Sequence, residues 1–184
     1  MRFSRLLLAT LLALPAAAMA EDVDMVAMFA TAEQQGRTGV ARKTRPVDAR
    51  PAIPGEVIVT VIAGEGVETR SKPAEAGDQV VRNRCPETGN EQYLIKAARF
   101  PERYASPGAP DLDGWTSYVP RGKETGYFLI PEGEGPYSFI APWGEPMVAK
   151  AGDAILRNPA DASDVYRVAG ASFACSYEIT RRAF

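Results

Sequence analysis

The residues with the most chemical capacity in this chain are carboxylates. Asp78 and Asp153 each close an Ala-Gly-Asp triplet, and Glu132 and Glu134 lie together in a Pro- and Gly-containing stretch. Two carboxylates held across a cleft at roughly 5–9 Å can divide the acid and base work of glycoside hydrolysis. These four are therefore the catalytic candidates of a carboxylate-dependent hydrolase acting on cell-envelope material. Other chemistries are closed. The chain has no histidine, so no Ser–His or Cys–His pair and no imidazole ligand can form. Two cysteines are too few for a four-cysteine zinc site, and no metal or cofactor is expected. Cys85 and Cys175 are a disulfide candidate; two separate thiols are the alternative, since sequence supplies no Cα separation.

The setting of the two aspartates favours a folding role over catalysis. Ala76-Gly77-Asp78-Gln79-Val80-Val81-Arg82-Asn83 matches Ala151-Gly152-Asp153-Ala154-Ile155-Leu156-Arg157-Asn158. With one loop gap, Tyr93, Ile95, Ala98, Phe100 and Tyr104 match Tyr166, Val168, Ala171, Phe173 and Tyr177. This pattern reads as a tandem duplication. Gly tolerates positive φ and Asp bonds backbone amides, so Gly-Asp between apolar runs is turn chemistry. Arg82 and Arg157 could each reach an anionic ligand or pair with the Asp of their own turn.

Glu68-Thr69-Arg70, the Ala76–Asn83 octapeptide, Tyr93-Leu94-Ile95 and Phe100-Pro101-Glu102-Arg103-Tyr104 together resemble a small module of uncharacterised bacterial and phage proteins. The second match begins at Ala151, and Trp143-Gly144-Glu145 stands where the Glu-Thr pair would be. The resemblance covers about half the chain and implies no activity. It makes Glu68, Thr69 and Arg70 candidate ligand-binding residues. Trp115, Tyr118, Tyr137 and Trp143 join them as loop aromatics suited to sugars or peptides.

The elements that must position these residues are mostly strands. Residues 1–20 read as a secretory signal peptide: Arg2 and Arg5, the apolar run Leu6–Leu14, then Ala18-Met19-Ala20 before cleavage. A disulfide-permissive, periplasmic compartment is the expectation from such a leader. No later segment approaches the ~20 apolar residues of a membrane span. The chain carries net charge −2, which gives no general reason to bind nucleic acid.

Residues 21–36 are a helix candidate with Val23, Val26, Ala27 and Ala30 on one face, widened by Met25, Met28 and Phe29. Residues 37–54, with Arg37, Arg42, Lys43, Arg45 and Arg50 among prolines, read as a solvated basic connector. Glu56–Ile62 is the clearest strand, apolar enough for burial on both faces. The first β module is set at 55–104, a linker at 105–125, and the second module at 126–184. In this scheme Gly126–Ile130 is the counterpart of 56–62.

The expected fold is β-rich α+β: two tandem small β modules packed together, each with a short helical turn, behind an N-terminal helix. A ~50-residue module is marginal alone, so the two should share a core. The leading function expectation is a non-catalytic secreted binding protein with a glycan, peptide or envelope-protein partner. The hydrolase is one alternative, and a structural subunit of an envelope complex is another.

Overall fold

A computed structural model describes residues 19–105 and 108–183; most of the expected signal peptide lies outside the described residues. The fold is β-rich, with 15 strands and three short helices among the described residues. In chain order these are β1 (Glu21–Asp22), α1 (Met25–Gln34), β2 (Gly39–Lys43), β3 (Val47–Pro51), β4 (Val59–Ile62), β5 (Gly66–Arg70), β6 (Gln79–Asn83) and β7 (Gln92–Ile95). There follow α2 (Phe100–Arg103), β8 (Tyr104–Ala105), β9 (Thr116–Pro120), β10 (Glu124–Leu129), β11 (Tyr137–Ile140), β12 (Pro146–Ala149), β13 (Ala154–Arg157), β14 (Val165–Val168), α3 (Gly170–Ser176) and β15 (Tyr177–Arg181).

Two five-stranded sheets organise the chain. The first runs β7-β6-β3-β9-β8 and the second β14-β13-β10-β2-β15. Their registers agree residue for residue. Arg82 lies between Asp48 and Gln92 in the first sheet, and Arg157 between Gly126 and Val165 in the second. Val81 faces Tyr93 as Leu156 faces Tyr166. Each sheet also has a hairpin lying beside it, β4–β5 for the first and β11–β12 for the second.

Two of these strands correct the reading of 37–54 as a solvated connector. That segment holds β2 and β3, with Ala41, Val47 and Ala49 buried. β2 joins the second sheet between β10 and β15, while β3 joins the first. The stretch expected as a linker, 105–125, likewise contributes β9 to the first sheet. Prolines and arginines hid both strands: Pro51 stands at the end of β3, and Arg42 and Arg50 project outward into ion pairs with Glu178 and Glu56.

The strand expected over Glu56–Ile62 is shorter and one-sided. β4 pairs only with β5, and Val57 and Val61 are exposed. A two-stranded hairpin laid on a sheet can bury one face alone. The counterpart of Gly126–Ile130 is consequently β3 rather than 56–62, because β10 and β3 hold the same place between their neighbours.

The inner faces of the two sheets form cores of matching shape by exchanging volume. In the first, Ala49 and Val81 pack with Tyr93, Ile95, Phe100, Tyr104 and Tyr118. In the second, Tyr127 and Leu156 pack with Ala41, Tyr166, Val168, Phe173 and Tyr177. The large ring moves from β9 (Tyr118) to β10 (Tyr127), and Ala41 and Gly39 of β2 make room. A Cβ on Gly39 would lie 2.4 Å from the Tyr127 ring, a contact that close-packed interiors exclude.

Helix α1 caps the outer face of the second sheet only. Asp24 caps it by accepting the Val26 and Ala27 N–H groups, both at 3.0 Å. The buried positions are Met25, Phe29 and Ala32, with Val26 and Ala27 exposed. The apolar stripe is thus one position away from the expected Val23/Val26/Ala27/Ala30 face, because Met25 and Phe29 remove more apolar area from water than valine and alanine do. Phe29 meets Phe128 edge-on at 5.5 Å and joins Ile130, Phe139, Met147, Ile155 and Val165 in the largest core.

A disulfide ties the two sheets' peripheries together. Cys85 follows β6 and Cys175 lies in α3, with Cα atoms 6.1 Å apart. No helix among the described residues is long and apolar enough to cross a membrane.

Candidate functional site: an arginine cleft on the first sheet

The two Gly-Asp turns perform the same local task. Asp78 accepts the N–H groups of Glu75 at 2.9 Å and Ala97 at 3.0 Å, and the Lys96 ammonium at 3.0 Å. Asp153 accepts the N–H groups of Lys150 at 2.8 Å and Gly170 at 3.1 Å, and Arg167 Nε at 2.7 Å. Both carboxylates are buried. Gly77 and Gly152, at φ +89° and +83°, make the turns that aim them. Burial pushes the Asp78 carboxyl up, but the Glu75 amide, Lys96 and the Ala97 amide outweigh it and hold it below the usual range. Each aspartate thus clamps its own turn to the end of the second strand that follows, β7 for Asp78 and β14 for Asp153. Neither presents a lone pair to an outside substrate. Glu132 and Glu134 lie exposed in the loop before β11, where Glu134 accepts the Tyr137 hydroxyl at 3.3 Å.

The Glu68-Thr69-Arg70 stretch is β5, and its polar groups are largely engaged inside the molecule. Glu68 pairs with Arg167 at 2.5 Å, and Glu65 pairs with the same guanidinium at 2.8 Å. Arg167 is buried on β14 and also holds Asp153. In the first sheet the register position of Arg167 is occupied by Leu94. A buried arginine has therefore replaced an aliphatic residue and pins the β4–β5 hairpin onto the second sheet. Burial raises the Glu68 carboxyl, which the Arg167 charge only partly offsets, and the carboxylates of Glu91, Asp153 and Glu65 raise it further. Thr69 donates its hydroxyl to Thr60 at 3.2 Å, whereas Arg70 is exposed.

The four aromatics expected in loops occupy separate places, and two of them are strand residues, Tyr118 on β9 and Tyr137 on β11. Tyr118 packs edge-on to Phe100 at 4.8 Å inside the first core. Tyr137 packs against the α1 core. Trp143 is partly exposed, donates its ring N–H to Glu145 at 2.9 Å and lies 6.1 Å from Tyr166. Trp115 lies on the outer face of the first sheet, with the Arg82 guanidinium 4.2 Å and the Arg50 guanidinium 5.4 Å from its ring centre.

Beside Trp115 opens a cleft of about 290 Å³ lined by Arg45, Asp48, Arg82, Asn83, Arg84, Pro86 and Asn90. Sheet register sets its floor, because Asp48 faces Arg82 directly across β3 and β6. Arg82 reaches Asp48 Oδ2 at 3.0 Å, and Arg84 reaches Oδ1 at 2.6 Å. Burial raises the Asp48 carboxyl, but hydrogen bonds from Arg84 and Arg82 outweigh it and hold it below its ordinary value. Asp48 stays ionised and offsets one positive charge of three. Arg45 reaches over from the turn after β2 and donates to Cys175 Sγ at 2.7 Å and its carbonyl at 3.4 Å. The disulfide anchors this wall of the cleft, and Asn90 N–H donates to the Cys85 carbonyl at 2.9 Å.

The site corrects the expected partners of two arginines. Arg82 pairs with Asp48 rather than Asp78, and Arg157 with Glu33 rather than Asp153. The turn aspartates are engaged by their own backbone amides and by Lys96 or Arg167, whereas Arg82 and Arg157 lie on the outward face of β6 and β13. The cleft as a whole was not legible beforehand. Its only trace is the Arg82-Asn83-Arg84 run together with the basic residues at 37–54, which read as solvated charge. A scan against protein-family models finds no match to this chain, and searches of the curated proteins and of the solved structures find none either.

Proposed function

We propose that the protein is a non-catalytic binding protein working outside the cytoplasm, and that its ligand is anionic. One observation carries this reading. A protein of net charge −2 gathers three arginines against a single carboxylate in an open cleft beside an aromatic ring. Guanidinium forks match the geometry of carboxylate and phosphate oxygens, and a concave, partly desolvated setting strengthens that attraction over a surface pair. The signal-like leader and the Cys85–Cys175 disulfide support the compartment, since such bonds persist where thiols are oxidised. We also infer that the two sheets descend from one duplicated unit, on the strength of their matching strand order and of the paired octapeptides.

The test is titration of the mature chain with anions of graded size, followed by isothermal calorimetry. Binding that falls at least tenfold in Arg84→Glu, with the variant still melting cooperatively, is the expected outcome. Equal affinity of the wild type and Arg84→Glu would overturn the cleft as the site. Mass spectrometry of the exported chain tests the compartment: a new N-terminus at Glu21 is expected, and an intact Met1 would refute it.

A second reading has its own observation. Val61, Val67, Ile140, Trp143 and Val148 are exposed apolar residues on the two hairpins, and β5 lies beside β12. Exposed apolar groups of this kind suit a subunit of an envelope complex. Co-purification of a fixed partner, lost in Ile140→Asp, would support that role.

A further inference from the structure

The second sheet contains, within the chain itself, an example of what its outer face binds. There α1 lies across β10 and β13. Its Phe29 ring sits 4.4 Å beneath the Arg157 guanidinium, and its Glu33 carboxylate meets the same guanidinium at 2.6 Å. The floor is flat enough for this because Gly126 stands opposite Arg157; a Cβ there would come within 3.2 Å of Phe29. The helix thus brings two things to the arginine, a ring on one side and a carboxylate at its edge.

On the first sheet the position of Arg157 is taken by Arg82, and the ring is already supplied. Trp115 lies 4.2 Å from the Arg82 guanidinium. The position of Gly126 is taken by Asp48, which provides a partial internal carboxylate but is shared between Arg82 and Arg84. Arg45 has no carboxylate partner among the described residues. The cleft is therefore short of negative charge by two, at the register position where the other sheet receives Glu33.

Resting on the binding role proposed above, we infer that this cleft receives a carboxylate-bearing protein segment, an Asp- or Glu-containing stretch of a partner. Its acidic side chain occupies the space between Arg45, Arg82 and Arg84, as Glu33 occupies the edge of Arg157. The cleft volume of about 290 Å³ accommodates an acidic side chain with its own peptide group, which Asn90 at the mouth can bond through its carboxamide. Trp115 lies behind the Arg82 guanidinium, 4.2 Å from it, and so reports on the surroundings of that arginine. An acidic glycan or a phosphate shares part of this chemistry. What favours a polypeptide is that a polypeptide carboxylate already fills the equivalent place in this molecule.

The experiment uses the mature chain carrying Trp143→Phe, which leaves Trp115 as its only tryptophan among the two in the sequence. Poly-L-glutamate, polygalacturonate and inorganic phosphate are titrated separately at about 0.1 M salt while Trp115 fluorescence is followed. Poly-L-glutamate should change the emission and bind at least tenfold tighter than the other two. That affinity should fall at least tenfold in Arg84→Ala and in Arg45→Ala, each a loss of about 1.4 kcal/mol, and stay unchanged in Arg157→Ala. If polygalacturonate or phosphate binds as tightly as poly-L-glutamate, the protein-segment inference is overturned while the anion-binding role stands. If none of the three binds, both fail. A calorimetric melt of each variant separates loss of binding from loss of fold.

Discussion

The two five-stranded sheets share strand order and register, yet their outer faces have gone different ways. The second sheet carries Gly126, Phe128, Ile155 and Val165 outward and is covered by α1 and the β11–β12 hairpin. The first carries Asp48, Arg50, Val80 and Gln92 at the same positions, and only the β4–β5 side of it is covered, by Ile58, Ala74 and Trp115. Arg82 and Arg157 stand at one place in both. Where the neighbours are apolar, the arginine is absorbed into a helix contact. Where the neighbours are charged, it opens onto solvent. An identical residue at an identical position therefore holds a helix on one sheet and lines an open cleft on the other. The inner faces show the reverse behaviour, because volumes exchange between strands but the packing is kept. Divergence is concentrated on the outer faces, one closed by α1 into the largest core and the other left partly open.

The largest expected effect comes from the buried position at which the sheets differ, Leu94 against Arg167. Arg167→Leu makes the second sheet resemble the first but leaves Asp153 and Glu68 buried without a cation. It should cost about 3–5 kcal/mol, measured by urea unfolding. The Glu68 carboxyl, already raised by burial, would rise further without the Arg167 charge, so the variant should regain stability as pH falls through the carboxylate range. A flat pH response would break the assignment of Arg167 as the charge that holds the hairpin.

Capping by α1 is the next difference to test. Phe29→Ala opens a cavity in the largest core and should cost about 3 kcal/mol or more. Trp115→Ala, on the less covered face, should cost less than half of that. Equal losses would mean that the two faces are equally structural. Reduction of Cys85–Cys175 should cost about 3 kcal/mol and, by freeing Cys175 from the wall that Arg45 contacts, should also weaken anion binding. Thermal melts with and without reductant measure the first effect, and the titration described above the second.

The smallest of these effects concerns the shared turns. Asp78→Asn removes a carboxylate that holds two backbone amides and Lys96, at about 1–2 kcal/mol. The Asp78 carboxyl is held below its unfolded value. Its contribution is therefore present above the unfolded pKa near 3.9 and disappears as pH falls through the lower folded value. Between pH 5 and pH 2 the wild type should lose more stability than Asp78→Asn does.

Sequence alone determined the features that depend on short-range chemistry. Gly77-Asp78 and Gly152-Asp153 announce their turns because positive φ and amide capture are local properties. The apolar pairs that follow them serve both faces because strands alternate, with Val81 and Leu156 inward and Val80 and Ile155 outward. The β-rich class, the short helices after β7 and β14, and the N-terminal helix follow from the same local rules, although not the face that α1 buries. Only the tertiary structure decided the rest. β2 and β9 are read as connector and linker until each finds its place between two other strands, since their arginines and prolines are unremarkable except in a register. Asp48 meets Arg82 and Arg84, and Arg167 meets Glu68, across separations that no spacing rule encodes. Cys85 and Cys175 are either a disulfide or two separate thiols until the sheets bring their Cα atoms to 6.1 Å. The cleft belongs to this second kind. Its charge is the sum of side chains from three segments, and whether an arginine is solvated, paired or aimed at a ligand depends on which neighbours the fold places around it.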